Sequence, residues 1–547
     1  MSLRRALLLF VASPFFIASL LRGQVSFDRI LRAGQEPQNW LTYSGTTLSQ
    51  RYTSLNQITP ANVKDLELQW IFQAHSFEKF EATPLVVDGV MYTVQAPNDV
   101  VALDAATGRV FWVYSYSPKR ARPCCGRVNR GLAILGDTLF MGTIDAHLIA
   151  IDAKSGHVVW DTTVARARSG YAITHAPLVL KDKVIVGTAG GEFGIRGFLA
   201  AYDAHTGKEV WRFNTIPGPG EPGHETWVGD SWQTGGGPVW VTGSYDPELN
   251  LTYWGTGNPG PDWNGDKRGG DNLYTDSVVA LDAATGKLKW YYQFTPHDEF
   301  DFDSVQIPVL ANMQWHGKER KLMLWANRNG VFYVLDRVTG EFLLGKPFVN
   351  ANWVSGFDEK GRPIPEPGAN PTREGFRVYP GIGTSWFSPS FSPRTELFYV
   401  SAWPNHYSTI VKVPVNYTEG RPYVGGINRY SAPFDKSPIQ NVRTEADGFG
   451  AVRAIDPRTG ERKWEFKMAD VTDAGILTTA SDLLFSGGRD GYFFALDAHS
   501  GDLLWKAALG AAVQSGPMTY SVDGRQYVAV NAGNCLFVFG LRLRSRT

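Results

Sequence analysis

Seven copies of one turn pattern, a composition crowded with glycine and aromatic residues, and two strand-like ends able to pair predict an all-β chain folded as an eight-bladed β-propeller. The pattern runs apolar, apolar, Asp, two residues, Thr or Ser, Gly, three residues, then usually Trp. It recurs as Ala102 to Trp112, Ala150 to Trp160, Ala201 to Trp211, Ala280 to Trp290, Val334 to Leu344, Ala454 to Trp464 and Ala495 to Trp505. Each copy reads as strand, turn, strand. The Asp can accept bonds from the turn backbone, the Gly can take a positive φ, and the second strand delivers an indole to a neighbouring unit. The 58 glycines, 18 tryptophans and 22 tyrosines suit many short strands joined by tight turns.

Residues 1–23 have the layout of a secretory signal peptide. Arg4 and Arg5 precede an apolar run from Ala6 to Leu21, which Pro14 interrupts and which is short for a membrane anchor, the alternative. A soluble protein in the periplasm of a Gram-negative cell is expected, without stable membrane insertion, its residues 24–547 forming one propeller domain. Leu66–Phe72 and Gln526–Phe539 are strand-like and could pair to close the ring. Most repeats stand about one four-stranded sheet apart. The wider gap from Val334 to Ala454 leaves room for a blade that has lost the motif, with strands near Leu397–Ser401 and Ile410–Val415; a seven-bladed ring is the alternative. Pro217–Asp276 and Asn350–Ser385 interrupt the rhythm, and long connections in a compact fold tend to be functional.

Several function classes fall away. The 53 basic and 53 acidic residues cancel, which argues against nucleic acid as a partner. Gly218-Pro-Gly-Glu-Pro-Gly223 fits a dinucleotide fingerprint, but its two prolines forbid the helix start that would hold a pyrophosphate. C-x-x-C-H is absent, so no c-type haem is attached. His147 and His175 have no metal-ligand spacing and read as structural, and Cys535 reads as a buried free thiol. Cys124 and Cys125 are adjacent. Neighbouring Cα atoms are held near 3.8 Å, below the usual span of a disulfide, so the pair is either two thiols in a turn or a small strained ring; an exported protein can hold the ring.

The chain resembles the quinoprotein alcohol dehydrogenases that use pyrroloquinoline quinone (PQQ), the methanol and ethanol dehydrogenase type. The residues that carry the resemblance are Cys124-Cys-Gly-Arg-Val-Asn-Arg-Gly131, similar to the family's vicinal-disulfide segment, and the Asp-x-x-Thr-Gly-x-x-x-Trp units, similar to its tryptophan-docking motifs. It implies an eight-bladed propeller with PQQ held between a tryptophan and a disulfide ring. Trp240, in Gly235-Gly-Gly-Pro-Val-Trp240, would be the floor under PQQ, and the ring of Cys124 and Cys125 the opposite wall. Ala189, Gly190 and Gly191 would line the cofactor pocket beside the metal carboxylate Glu192. Asn258 in Gly255-Thr-Gly-Asn-Pro259 would be an amide ligand of the same metal. Glu81, Arg130 and Thr174 fall where the family binds PQQ's carboxylates and ring substituents, and Arg328 resembles the arginine beside the quinone oxygens. Ser385 stands where relatives often carry an Asn that contacts the cofactor.

His297-Asp-Glu-Phe-Asp301-Phe-Asp303 is the most chemically loaded stretch, with four carboxylates and a histidine. Alternation in an extended segment would put Asp301 and Asp303 on one face, where they repel unless a cation or proton lies between them. The resemblance makes Asp301 the catalytic base and Asp303 the mark of the lanthanide-dependent branch, since an added carboxylate favours a trivalent ion over Ca²⁺, the alternative metal. The expected site is Glu192, Asn258, Asp301 and Asp303, completed by PQQ. The metal would polarise the quinone, Asp301 would take the alcohol's hydroxyl proton, and a hydride would pass to PQQ, leaving an aldehyde. A small-molecule alcohol is the substrate and a separate cytochrome c the implied electron acceptor; a homodimer is possible. Asp473 replaces a Trp of methanol dehydrogenases and adds a charge at the mouth, which favours a larger or more polar alcohol. A PQQ dehydrogenase for a sugar or other hydroxylated substrate is the alternative, and a periplasmic propeller scaffold, without catalysis, the alternative of another class.

Overall fold

The computed structural model describes residues 25–119, 121, 123–430 and 444–542; the expected signal peptide lies outside them. The chain forms a β-propeller built from antiparallel four-stranded sheets, eight of them with at least four strands among the described residues. Its tryptophans work as the repeat predicts. Asp104 Oδ1 accepts the N–H groups of Ala106 and Thr107 at 3.0 and 2.9 Å, which closes the turn, and Asp152, Asp203 and Asp282 repeat the arrangement. Gly156, at φ +76°, lies under Trp112 of the preceding sheet so closely that a Cβ there would come within 2.8 Å of the ring. The same indole donates Nε1–H to the Ala153 carbonyl at 3.2 Å. Trp160 docks on Gly207 and the Ala204 carbonyl, Trp464 on Gly501 and the Ala498 carbonyl. At these three junctions one flat apolar surface and one donor tie a sheet to the next, whereas Trp211 and Trp290 cover Gly286 and Gly340 by packing alone.

The two ends pair as expected. Leu66–Gln73 joins Cys535–Leu541 antiparallel, completing a sheet with Arg525–Ala532 and Met518–Val522. Trp70 from that first strand docks on Gly108, whose Cβ would meet the indole at 2.6 Å. This closing sheet is the one without a repeat motif. The sequence reading placed a motif-less blade between Val334 and Ala454, and there the structure differs. Leu397–Ala402 belongs with Ser390–Ser392 to the sheet that carries the Ala454 repeat, pairing directly with Gly450–Asp456. The expected second strand, found as Ser408–Lys412, lies in a separate three-stranded sheet with Phe376–Val378 and Gly426–Tyr430. The wide gap is therefore an excursion inserted into one sheet. Cys535 is only partly buried, with its thiol pushed up by burial.

Residues 40–53 run along the innermost strands. Trp40 exchanges bonds with Val86; the carbonyls of Thr47, Leu48, Gln50 and Arg51 accept from Tyr245, Leu310, Phe391 and Thr478, all in or beside the first strand of a sheet. The first strand of each sheet is thus the inner one. Because strands alternate in direction, the loops leading into first strands and those joining second to third strands emerge at one end, while the Asp turns sit at the other. Every candidate site residue lies on a loop of that first end. Among the described residues no helix is long and apolar enough to cross a membrane.

Candidate active site

Two loops carry the acidic cluster. His297–Asp303 precedes the strand Val309–Trp315, and Asn258 follows the strand Leu251–Gly255. Asp301 and Asp303 do converge, though not by strand alternation. Both take left-handed backbone conformations, φ +63° and +28°, and Asp298 explains how the turn holds: its Oδ1 and Oδ2 accept the Phe300 and Phe302 N–H groups, each at 2.9 Å. With those amides drawn to one carboxylate, the side chains of Asp301 and Asp303 face Arg328, whose Nη2 and Nη1 donate to them at 2.9 and 3.1 Å. Asp303 Oδ1 also accepts Trp240 Nε1–H and the Asn258 N–H, both at 3.2 Å. A Cβ on Gly257 would collide with that oxygen, so the glycine is what lets the carboxylate sit there.

Glu192 joins the group from a 3-10 turn, Gly191–Phe193. Burial and the neighbouring Asp303 push its carboxyl up to about 7. Asp301 is held well above the ordinary carboxylate range, first by burial and then by Asp303 and Glu192, against the pull of Arg328. Asp303 is raised by burial despite the same guanidinium. Two carboxylates absent from the sequence reading lie in the same field. Asp262 and Asp276 are both buried and both raised well above normal, by burial and by the charges of Asp301 and Asp303 among others. Asp262 Oδ1 has no hydrogen-bond partner, and Asp276 has none beyond the nearby Ser304 N–H. Their only sequence signal was an Asp four residues after Asn258 and another ending a Gly-rich loop. A buried surplus of carboxylates, with orphaned oxygens, fits a hard polyvalent cation.

The remaining candidates form a wall beside the cluster. Glu81 is buried and pairs with Arg130 at 2.9 Å, the donor its position required; burial still raises its carboxyl. Arg130 Nη1 donates to Thr174 Oγ1 at 3.2 Å, and its guanidinium carbon lies 5.0 Å from the Trp240 ring centre and 4.7 Å from that of Trp386. Trp386, beside the buried Ser385, was not singled out from sequence. Cys124 and Cys125 are disulfide-bonded. Cys124 Sγ lies 2.8 Å from Glu192 Oε1; a disulfide sulfur has no proton to give, so this is a close contact that sets the ring at the edge of the acidic cluster. Ala189 exchanges backbone bonds with Ala172, and a Cβ on Gly191 would come within 3.3 Å of Asn258 Oδ1. A half-buried indole, a compact disulfide and a buried guanidinium fit a flat anionic cofactor.

Asp473 is not the free charge at the mouth that the sequence suggested. It is buried in a two-point ion pair with Arg489, at 2.7 and 2.9 Å. His175 is buried and neutral, pushed down to about 4 by burial, and accepts the Gly187 N–H at Nε2. His147 pairs with Asp161 at the surface. Both are structural, as expected.

A propeller carrying this set of side chains on one end defines a class, the quinoprotein dehydrogenases. The chain belongs to the family described as "PQQ: Glucose/ethanol/alcohol dehydrogenase, beta-propeller domain", whose model matches residues 40–347 and 467–528. It is 38% identical to quinoprotein alcohol dehydrogenase PedH of Pseudomonas putida over 96% of this chain and 91% of the relative. It is 37% identical to the lanthanide-dependent methanol dehydrogenase of Methylacidiphilum fumariolicum over 92% of this chain and 86% of that one. The solved structure of a europium-containing methanol dehydrogenase superposes with a TM-score of 0.88 at 35% identity, covering 94% of this chain and all of that one. The chain is a PQQ-dependent alcohol dehydrogenase.

Proposed function

We propose that the protein is a periplasmic enzyme that oxidises a primary alcohol to its aldehyde, with a lanthanide ion held by Glu192, Asn258, Asp301 and Asp303 and electrons passed on to a separate cytochrome c. The observation that carries this reading is the convergence of Asp301 and Asp303 on Arg328, inside a field of buried carboxylates that a trivalent cation would relieve. Metal-bound PQQ supplies the two-electron acceptor for the hydride. Asp301, held by the Arg328 guanidinium, would take the hydroxyl proton of the alcohol as general base. Arg328 holds that carboxylate in place, and Trp240 and the Cys124–Cys125 ring would hold the cofactor between them. Arg130 and Thr174 would meet the cofactor's carboxylates, with Glu81 fixing the guanidinium.

The mouth favours an alcohol larger or more polar than methanol, because the partly exposed Arg489, paired with the buried Asp473, replaces the apolar surface that the resemblance gives methanol dehydrogenases as an indole. A sugar or other hydroxylated compound is the second reading that this pair allows. A dye-linked panel of methanol, ethanol, longer and aromatic alcohols and aldoses, run on protein reconstituted with PQQ and La³⁺, tests both. Turnover of primary alcohols above methanol and above aldoses is expected; aldoses as the best substrates would overturn the first reading.

A further inference from the structure

The excursion between Leu397–Ala402 and Gly450–Asp456 reaches across to both loops of the acidic cluster. Its backbone meets the turn of Glu192 at one point and the loop of Asn258 at two. Tyr423 donates its N–H to the Glu192 carbonyl at 2.6 Å, Val424 accepts the Trp263 N–H at 2.9 Å, and Val413 accepts Asn264 Nδ2 at 3.0 Å. One side chain does more. Lys412, at the end of the strand Ser408–Lys412, places Nζ 2.7 Å from Glu299 Oε1 and 3.0 Å from Asp266 Oδ1. Glu299 Oε1 in turn accepts the Gly265 N–H at 2.6 Å. The Lys412 and Glu299 side chains keep only 14% and 10% of their surface exposed, so solvent screens this contact far less than a surface pair.

Glu299 stands two residues before Asp301, and Asp266 lies on the loop that begins at Asn258. We propose that Lys412 is a positioning residue: its ammonium fastens the loop of Asp301 and Asp303 to the loop of Asn258, and so sets the separation of the candidate metal ligands from a third element. The inference rests on the metal site proposed above. Without the ammonium, Glu299 is left as a buried carboxylate with one backbone donor, close to a second negative charge at Asp266, and the two loops keep only their direct bonds, Gly265 N–H to Glu299, Asn258 N–H to Asp303 and Arg268 to the Asp298 carbonyl. Groups that orient ligands without touching the metal commonly change metal affinity ten- to a hundredfold.

The test uses purified full-length protein with Lys412→Met, which keeps the length and removes the charge, and Lys412→Arg, which restores it. In metal-free protein, amide hydrogen exchange should quicken in Lys412→Met over residues 263–266 and 298–303 while the inner strands stay as in wild type. Half-saturation of the PQQ-loaded protein with La³⁺ should need about tenfold more metal or greater, and Lys412→Arg should return both readouts most of the way. A Lys412→Met protein that takes La³⁺ within twofold of wild type, or whose exchange rises evenly through the chain, would overturn the inference. Should wild type bind neither La³⁺ nor Ca²⁺, the proposed metal site fails, and the exchange pattern still decides whether Lys412 joins the loops.

Discussion

Replacing Asp303 with alanine should erode the preference for a trivalent ion while leaving the cofactor wall in place. The size of the effect follows from charge. At a ligand distance of about 2.5 Å and an effective dielectric of about 20, the added positive charge of La³⁺ over Ca²⁺ is worth at most about 7 kcal/mol against one carboxylate. Three donors already share that carboxylate: Arg328 at 3.1 Å, and Trp240 and the Asn258 N–H at 3.2 Å. Allowing for those donors and for water filling the gap, about a fifth of the ceiling is a conservative remainder, about 1.4 kcal/mol or tenfold in relative affinity. The assay is competitive reconstitution of PQQ-loaded Asp303→Ala with La³⁺ and Ca²⁺, reading half-saturation for each and PQQ content as the control for folding. The ratio of the two should move at least tenfold toward Ca²⁺. A ratio within twofold of wild type, with PQQ content unchanged, would refute the charge argument.

Asp301→Asn should keep PQQ and lose about 10²–10⁴-fold in turnover, measured with a dye acceptor under saturating alcohol; near-normal activity would remove Asp301 as the base. Metal-free protein should lose stability as pH rises from about 5 to about 8, because Glu192 in the folded state holds its proton up to about 7 and the unfolded chain releases it earlier. Over that window La³⁺ affinity should rise, since binding displaces protons from the raised carboxylates; thermal melts and metal titrations across pH check both signs. Trp70→Ala should cost about 3–5 kcal/mol, because the indole is nine-tenths buried and nothing else fills the space over Gly108; a denaturant midpoint barely changed would show that ring closure does not depend on this contact.

The repeats were legible because an Asp turn and a positive-φ glycine recur in all seven copies and an indole in six of them. The closing sheet was misplaced for the same reason. It contributes Trp70 without an Asp turn of its own, so its strands carry no signature, while the excursion after Ala402 contains apolar strands that resemble blade strands by composition. At the site, the family resemblance pointed to Glu192, Asn258, Trp240, Asp301 and Asp303, and the loop geometry brings the last two together. The extended alternation expected of them was mistaken, since no pattern of apolar residues reports that Asp298 gathers two amides and turns the chain left-handed. Asp262, Asp276 and Trp386 were missed because burial, which alone distinguishes them from turn acids and a core indole, arises only when distant loops meet. Lys412 lies 113 positions from Glu299 (412 − 299), and only the folded excursion joins them.

The most direct test is turnover of wild-type protein, reconstituted with PQQ and either La³⁺ or Ca²⁺, in parallel on its best alcohol. The account predicts that La³⁺ supports the faster rate at the lower metal concentration. Equal or faster turnover with Ca²⁺ would contradict it.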